Sequence, residues 1–367
     1  MGTSAITVDE LRGAARTWLA EHRAGAPRDY GAILPPELAE AGRAWQRQLH
    51  EAGWAGLHWP VEVGGRGLTP DHTAAWLTEC ALAEVPPWIN MVGVVLTGGS
   101  ILGFGTPAQQ ATHLPRILRA DDVWCQLFSE PGAGSDLAAL STTAAPDRDG
   151  WVVTGQKVWC SNGRVADRGI LLARTDPSAP RHAGISFFLV DMHLPGIEVR
   201  PLRQMTGGSE FDEVFLDEVR LPTEALLGPL HGGWGVAMAT LTNERGHIGS
   251  ASISLGRRLD ALAALDGSGD PVTRQRQAEL LARGSALQAM TARQGAVASV
   301  AASLAKLGVT ELVFDAAVLE ADLAGPDAML AGPAADRLLG APGGRIAGGT
   351  TQVQKNIIGE RLLGLPR

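Results

Sequence analysis

The amino-acid sequence predicts an α+β protein, helical at both ends with a compact β-domain between. Three observations carry that prediction. Apolar residues recur at helical spacing through about the first 120 residues and again from Gly232 onward. From Val123 to Pro222 the pattern changes to short runs of Val, Ile, Leu and Phe, punctuated by Gly, Pro and Asp. A chain of 367 residues also exceeds one typical core, so two or three packed units are expected. The division read from these signals is an N-terminal all-α domain over 1–122, a middle β-domain over 123–223 and a C-terminal helical domain over 224–367.

Thr7-Val8-Asp9-Glu10 has the form of a capping box, and Leu11, Ala15, Trp18 and Leu19 follow at helical spacing. A second helix is expected from Pro36 to Ala52, with Leu38, Ala41, Trp45 and Leu49 on one stripe. Gly64-Gly65-Arg66-Gly67 reads as a loop, and helical patterns resume over Thr73–Ala83 and Pro107–Leu118. In the middle domain, Asp149-Gly150 is a two-residue hairpin signal ahead of the alternating Trp151-Val152-Val153-Thr154. Gly169–Arg174, Gly184–Val190, Ile197–Arg200 and Glu213–Leu216 read as further strands. A long helical segment then runs from Gly232 to Leu265, where Asp266-Gly267-Ser268-Gly269-Asp270-Pro271 breaks it. Helices are expected over Val272–Thr291, Gly295–Leu323 and Thr351–Leu363. Pro326, Pro333 and Pro342, with Gly340, Gly343 and Gly344, mark a loop-rich interval before the last of these.

Composition removes several classes of function. A hydrophobic content of 45% and a charged content of 19% describe a globular chain. The net charge of −8 argues against a nucleic-acid partner, since phosphate binding is driven by clustered Lys and Arg. Cys80, Cys125 and Cys160 show no CxxC spacing and read as small buried hydrophobes in a reducing compartment. Met1–Ile6 has no secretory pattern, and no apolar run approaches the roughly 20 residues that span a bilayer. Cytoplasmic location is the expectation. No P-loop, GxSxG, strand-linked GxGxxG or His pair at metal-ligand spacing is present, so no metal is expected. His58 and His247 read as satisfied core or surface residues.

The chemistry-bearing stretch runs from Trp124 to Gly163. Ser129-Glu130-Pro131-Gly132-Ala133-Gly134-Ser135-Asp136 is rich in Gly and small hydroxyl residues. Gly132 and Gly134 allow the backbone to approach a ligand closely and to take up positive φ. The exposed N–H groups of such a turn suit a phosphate or a heteroaromatic edge. Gly155-Gln156-Lys157-Val158-Trp159-Cys160-Ser161-Asn162-Gly163 offers a flat Trp159 face, with the Ser161 hydroxyl expected on the same side of a strand. On composition alone this is a tight turn beside a core Trp.

The order of residues is more specific. These two linked motifs resemble the flavin-binding β-domain of the acyl-CoA dehydrogenases. The resemblance continues through Met205-Thr206-Gly207, Phe211-Asp212-Glu213-Val214-Phe215 and Gly349-Thr350-Thr351-Gln352-Val353-Gln354, and so covers nearly the whole chain. It implies an acyl-CoA dehydrogenase-like fold with a barrel-like middle domain and a C-terminal four-helix bundle that builds the subunit interface. It implies FAD as cofactor, an acyl-CoA substrate and electron-transfer flavoprotein as acceptor. The oligomer implied is a dimer or tetramer, here a homotetramer or a hetero-oligomer with a related chain, acting in lipid metabolism.

Residue by residue, the resemblance assigns Gln126, Phe128, Ser129, Gly134, Ser135, Trp159, Ser161, Thr350 and Gln352 to the cofactor. Trp159 would stack and Ser161 would donate near flavin N5, while Ser135, Arg245 and Gly348 fall at substrate positions. Many members carry their catalytic carboxylate where this chain has Gly348, and glycine cannot abstract a proton. Others carry it immediately before an Arg on the helix after the β-domain. Leu241-Thr242-Asn243-Glu244-Arg245 stands there, with Leu241 and Ile248 placing Glu244 on an apolar stripe, which makes Glu244 the expected base. The Gly348 N–H remains available as an oxyanion donor, a role that needs no side chain. Two inter-subunit FAD segments of the family, Arg-x-x-Phe-Gly and Gln-x-x-Gly-Gly-x-Gly, have no counterpart at Leu265–Pro271 and Met329–Ala341. The reading is α,β-dehydrogenation of an acyl-CoA to the trans-2-enoyl-CoA. The alternatives are a non-catalytic subunit of a heteromeric dehydrogenase, and a same-fold flavin oxidase or monooxygenase.

Overall fold

Helix α1 (Val8–His22) starts where Thr7 and Glu10 close a reciprocal capping box, at 3.3 Å from the Glu10 N–H to Thr7 Oγ and 2.8 Å from the Thr7 N–H to Glu10 Oε2. This computed structural model describes residues 6–28, 30, 33–245, 248–265, 269–292 and 298–366; the side chains of 242–252 and 292–301 lie outside that description. Two compact units emerge. One holds the chain up to Trp76 with Val85–Gln204 and Gly208–Asn243, and the other Leu77–Glu84, Met205–Gly207 and Glu244–Arg367.

In the first unit, α2 (Ala39–Glu51) follows a 3₁₀ turn at Pro36–Leu38, and α3 (Pro70–Ala83) begins on its proline. A π-helical segment, Val92–Thr97, leads into α4 (Gly98–Phe104), and α5 (Pro107–Arg119) opens on a second capping box from Thr106 and Gln109. The sequence reading assigned nothing to 92–104. Gly93 through Gly98, Ser100 and Ile101 are all buried. A helical run buried on every side, as from Gly93 to Gly98, shows no amphipathic stripe to detect.

Gln46 on α2 is the polar centre of this helical layer. Fully buried, it donates to the Ile117 and Leu118 carbonyls and accepts from the Ile89 and Asn90 N–H groups at 3.0 and 3.1 Å. Asn90 continues the relay, accepting from the Gly93 and Trp124 N–H groups and donating to the Asp122 carbonyl at 2.8 Å. Two amide side chains therefore satisfy a buried crossing of backbone and fix the entry to the sheet.

The sheet comprises β1 (Trp124–Leu127), β2 (Thr143–Asp147), β3 (Gly150–Ser161), β4 (Arg168–Arg174), β5 (Ile185–Asp191), β6 (Ile197–Leu202), β7 (Phe211–Pro222) and β8 (Leu226–Leu227). Its order is β6-β7-β3-β2-β4-β5-β8, with β1 parallel to β4. Leu127, Val153, Leu171, Phe188, Val190 and Val214 pack in its core. The predicted hairpin forms one residue earlier than expected. Asp147 pairs with Gly150, so the loop is Arg148-Asp149 and Gly150 is the first strand residue. There φ is +156°, and a Cβ would run into the Leu221 carbonyl, so glycine serves the close approach of β7 rather than the turn.

The β3–β7 ladder carries two bulges. Between Val153 and Gly155 the extra residue is on β7, where Glu218 sits at φ +50°; between Lys157 and Cys160 it is on β3, where Trp159 sits at φ +62°.

Helix α6 (Gly233–Arg245) is the last helix entered from the first unit. The second unit packs α7 (Ile248–Ala264), α8 (Pro271–Ala292) and α9 (Ala298–Ala324) through Leu255, Leu259, Leu280, Leu287, Leu312 and Leu319. Residues 246–247, between α6 and α7, and 266–268 lie outside the described residues, as does His247. The interval expected to be loop-rich instead contains α10 (Pro333–Gly344), with α11 (Thr351–Arg361) closing the chain. Pro333 occupies the first turn, where its missing N–H is not needed. Pro342 falls in the last turn, so the prolines bracket a helix instead of excluding one.

All three cysteines are free and buried, as the sequence indicated. Burial pushes the Cys160 thiol up to about 12. His58 is likewise satisfied, its Nδ1 lying 3.0 Å from Thr73 Oγ1.

Candidate active site

Strand β1 alternates cleanly. Cys125 and Leu127 enter the sheet core, leaving Trp124, Gln126 and Phe128 on the opposite face. Phe128 packs edge-on against Phe187, with ring centroids 5.7 Å apart. The chain then turns tightly, Glu130 and Ala133 exchanging both backbone hydrogen bonds at 3.0 Å. Neither Gly132 nor Gly134 uses the positive φ open to it. A Cβ at either would meet no protein atom within 4 Å, so both face open space. Ser135 and Asp136 are exposed beyond them, Asp136 pairing with Arg181 at 2.6 Å.

What holds this turn is a pair that the sequence reading quoted without assigning a role. Lys157, fully buried on β3, reaches Glu130 at 2.8 Å and donates to the Phe128 carbonyl at 3.1 Å. Glu130 also accepts from the Ser141 N–H and hydroxyl and from the Thr142 N–H, at 2.7, 2.7 and 2.9 Å. Burial opposes its charge, but the Lys157 ammonium and these donors outweigh it and hold the carboxyl at about 2. No local signal marks it: Lys157 follows Thr154, Gly155 and Gln156 in β3, where a charged residue is unremarkable.

The expected pairing of Trp159 and Ser161 on one strand face does not follow from alternation, because the bulge falls between Lys157 and Cys160. Trp159 is 54% exposed with Phe211 edge-on at 5.7 Å. Ser161 and Asn162 line a cavity of about 110 Å³, with Tyr30, Trp124, Met91 and Val92.

In the second unit, Gly348 and Gly349 have φ of +63° and +90°, and their carbonyls accept from Gln354 Nε2 (2.9 Å to Gly348) and Lys306 Nζ (2.6 Å to Gly349). Thr350 caps α11, accepting from the Val353 N–H at 3.2 Å, while Gln352 is exposed. Replacing Thr350 with Ala is expected to lower stability by about 1 kcal/mol through the lost cap, read as a shift in urea midpoint, while Ser should hold it. Glu244 and Arg245 end α6, but their side chains lie outside the described residues. The cofactor positions therefore divide, Gln126 to Ser161 in the first unit and Thr350 and Gln352 in the second.

Three descriptions match in succession: acyl-CoA dehydrogenase N-terminal domain over residues 7–121, middle domain over 125–219 and C-terminal domain over 231–363. The chain belongs to the acyl-CoA dehydrogenase family. It is 39% identical over 384 residues to acyl-CoA dehydrogenase IpdE1 of Mycobacterium tuberculosis, covering 98% of each chain. It is 34% identical to the human mitochondrial short-chain specific acyl-CoA dehydrogenase, covering 59% of this chain and 52% of that one. Among solved structures it resembles the Tcur3481-Tcur3483 steroid ACAD (TM-score 0.84, 26% identity, 100% of both chains). It also resembles the ChsE4-ChsE5 complex from Mycobacterium tuberculosis (TM-score 0.80, 28% identity, 100% of both chains). The helices and mixed sheet are thus those of an acyl-CoA dehydrogenase, and the protein is an oxidoreductase of that family. Among the described residues no helix is long and apolar enough to cross a membrane.

A flavin is the family's cofactor, and the donor set here fits one. The Ser129, Ser135 and Ser161 hydroxyls, an open face at Gly132 and Gly134, and an exposed indole at Trp159 offer hydrogen bonds, close backbone approach and a stacking surface.

Proposed function

We propose that this chain is the catalytic, FAD-dependent subunit of an acyl-CoA dehydrogenase that converts a compact or ring-bearing acyl-CoA to its trans-2-enoyl-CoA. The observation that carries the reading is the loop from Phe128 to Ser135, pinned by Glu130 and Lys157 beside the Ser161 end of β3. Gln126, Phe128, Ser129, Gly134, Ser135, Trp159 and Ser161 of the first unit would hold the cofactor, as would Thr350 and Gln352 of the second. When bound, the flavin would supply the acceptor for the hydride that leaves the β-carbon. Glu244 takes the proton from the α-carbon, and the Gly348 N–H binds the thioester oxygen, which acidifies that proton. Arg245 and Ser135 hold the thioester for that transfer.

The absence of both inter-subunit FAD segments, together with two-chain names among the similar structures, supports assembly with a related chain in place of a homotetramer. The steroid name of one of them supports a ring-bearing acyl group. Electron-transfer flavoprotein is the acceptor we assign.

Gly348 favours a second reading. Its φ of +63° suits glycine and leaves that position without a carboxylate, as a chain that lends its site to a partner would. An anaerobic visible spectrum tests the proposal. A flavin band that bleaches with ring-bearing acyl-CoAs, in the chain alone or with its partner, is the expected result. A band that ignores every thioester would overturn it.

A further inference from the structure

We infer that Lys306 and Gln354 are positioning residues for the thioester, holding the turn at Gly348-Gly349 so that its N–H groups meet the substrate oxygen. This rests on the acyl-CoA reading above, in which the Gly348 N–H binds that oxygen. Every residue of the device belongs to the second unit.

Two successive glycines make the most yielding backbone a chain can have, so a donor carried on them must be fixed from outside. Here φ is +63° at Gly348 and +90° at Gly349. The loop that carries them is closed at its ends, where the Thr351 N–H donates to the Arg345 carbonyl at 3.0 Å. Glu311 on α9 grips both ends, pairing with Arg345 at 2.9 Å and accepting from the Thr351 hydroxyl at 3.2 Å.

Two buried side chains grip the middle of the loop. Lys306 on α9, 7% exposed, donates to the Gly349 carbonyl at 2.6 Å. Gln354 on α11, fully buried, donates to the Gly348 carbonyl at 2.9 Å. A Cβ at Gly349 would stand 2.7 Å from the Gln354 amide nitrogen, so the grip itself demands glycine there.

In a trans peptide the N–H points away from its C=O, and no peptide here is cis. Both carbonyls face the buried grips, so the Gly349 and Thr350 N–H groups lie on the opposite side of the turn. Among the described residues, the N–H groups of Gly348, Gly349 and Thr350 have no protein acceptor, and Gly348 is exposed. The Lys306 ammonium makes a charge-assisted bond to one peptide of this row, which strengthens the dipole at that peptide's other end. The donors are therefore aimed before substrate arrives. Such a row stabilises the charge that gathers on a thioester oxygen as the α-proton leaves.

The test uses the FAD-loaded protein with tert-butylacetyl-CoA, isotope-labelled at the thioester carbonyl. This ligand has α-protons but no hydrogen on its β-carbon, so it binds without reducing the flavin. Difference infrared spectroscopy reads the carbonyl stretch, and exchange with deuterium oxide reads the acidity of the α-protons. In the wild-type protein, binding is expected to lower the stretching frequency and to start exchange. Lys306→Met should remove most of the frequency shift and slow exchange roughly a hundred-fold, the scale of one lost oxyanion donor, with the dissociation constant within about three-fold. Gln354→Leu should act in the same direction, and it keeps the test open if the lysine variant fails to fold. A folded variant with shift and exchange unchanged would overturn the proposal. So would a variant that binds weakly but keeps the full shift once bound, since that marks a merely structural role. A wild-type stretch equal to that of the free thioester would overturn it too. Glu244→Gln should abolish exchange and keep the shift. A wild-type shift without any exchange would overturn the assignment of Glu244 as base and leave the positioning role in place.

Discussion

Replacing Lys157 with Met is expected to lower stability by roughly 3–5 kcal/mol, the cost of stranding the partner of a buried ion pair. Lys157 is completely buried and Glu130 is 5% exposed, so no water can take over the lost contact. The Phe128 carbonyl also loses its donor. Urea unfolding monitored by tryptophan fluorescence checks this, with an unchanged slope and a lower midpoint as the expected result. The exposed Arg200–Glu198 pair has almost the same geometry at 2.7 Å, and its removal should leave the midpoint where it is. Replacing Glu130 and Lys157 together by Leu and Met should recover part of the loss, since no charge is then left behind. The sign of the pH dependence follows from the same pair. Glu130 is held at about 2 against an ordinary value of 4.5, so its stabilisation is complete above pH 4.5 and is lost as pH falls toward 2. Acid unfolding of the wild-type protein should therefore steepen in that window, and the double variant should lose that contribution.

Replacing Glu244 with Gln is expected to leave FAD bound and to slow its reduction by acyl-CoA by roughly a thousand-fold, within the range that general-base catalysis supplies. Gln keeps the volume and hydrogen-bonding capacity of Glu while removing the basic oxygen. Stopped-flow bleaching of the flavin under anaerobic conditions is the measurement. Full retention of the rate would transfer the base to another chain and favour the reading in which Gly348 marks a subunit without its own carboxylate. Loss of flavin with loss of rate would instead mean that the substitution disturbed the fold.

Much of the architecture was legible because local chemistry repeats. The Thr7–Glu10 box, the apolar stripe of α2 and the strands β4 and β5 each announce themselves within a few residues. What escaped did so for physical reasons. The segment at 92–104 is buried on every side from Gly93 to Gly98 and has no polar face there to give it a period, and α10 is bracketed by prolines that look like breakers until their positions in the first and last turns are known. The site was legible as motifs rather than as geometry. Glu130 and Lys157 stand 27 positions apart, and nothing local says that one neutralises the other. The link of Trp124 and Tyr30 to one cavity is a property of the fold alone. Glu244 was reached through resemblance, because a carboxylate on a helix carries no distinguishing mark.

The two bulges of the β3–β7 ladder behave like a frameshift and its suppressor. The extra residue at Glu218 displaces the pairing by one position, and the extra residue at Trp159 restores it, so Cys160 and Ser161 meet Asp212 and Phe211 in the same phase as Trp151 and Leu221. Only the short stretch from Gly155 to Lys157 runs out of phase. Losing either insertion alone would carry the error through to the end of the strand, turning Ser161 and Cys160 to each other's faces. Losing both would be nearly silent at the strand end. Two positions about sixty residues apart are therefore bound to change together or not at all.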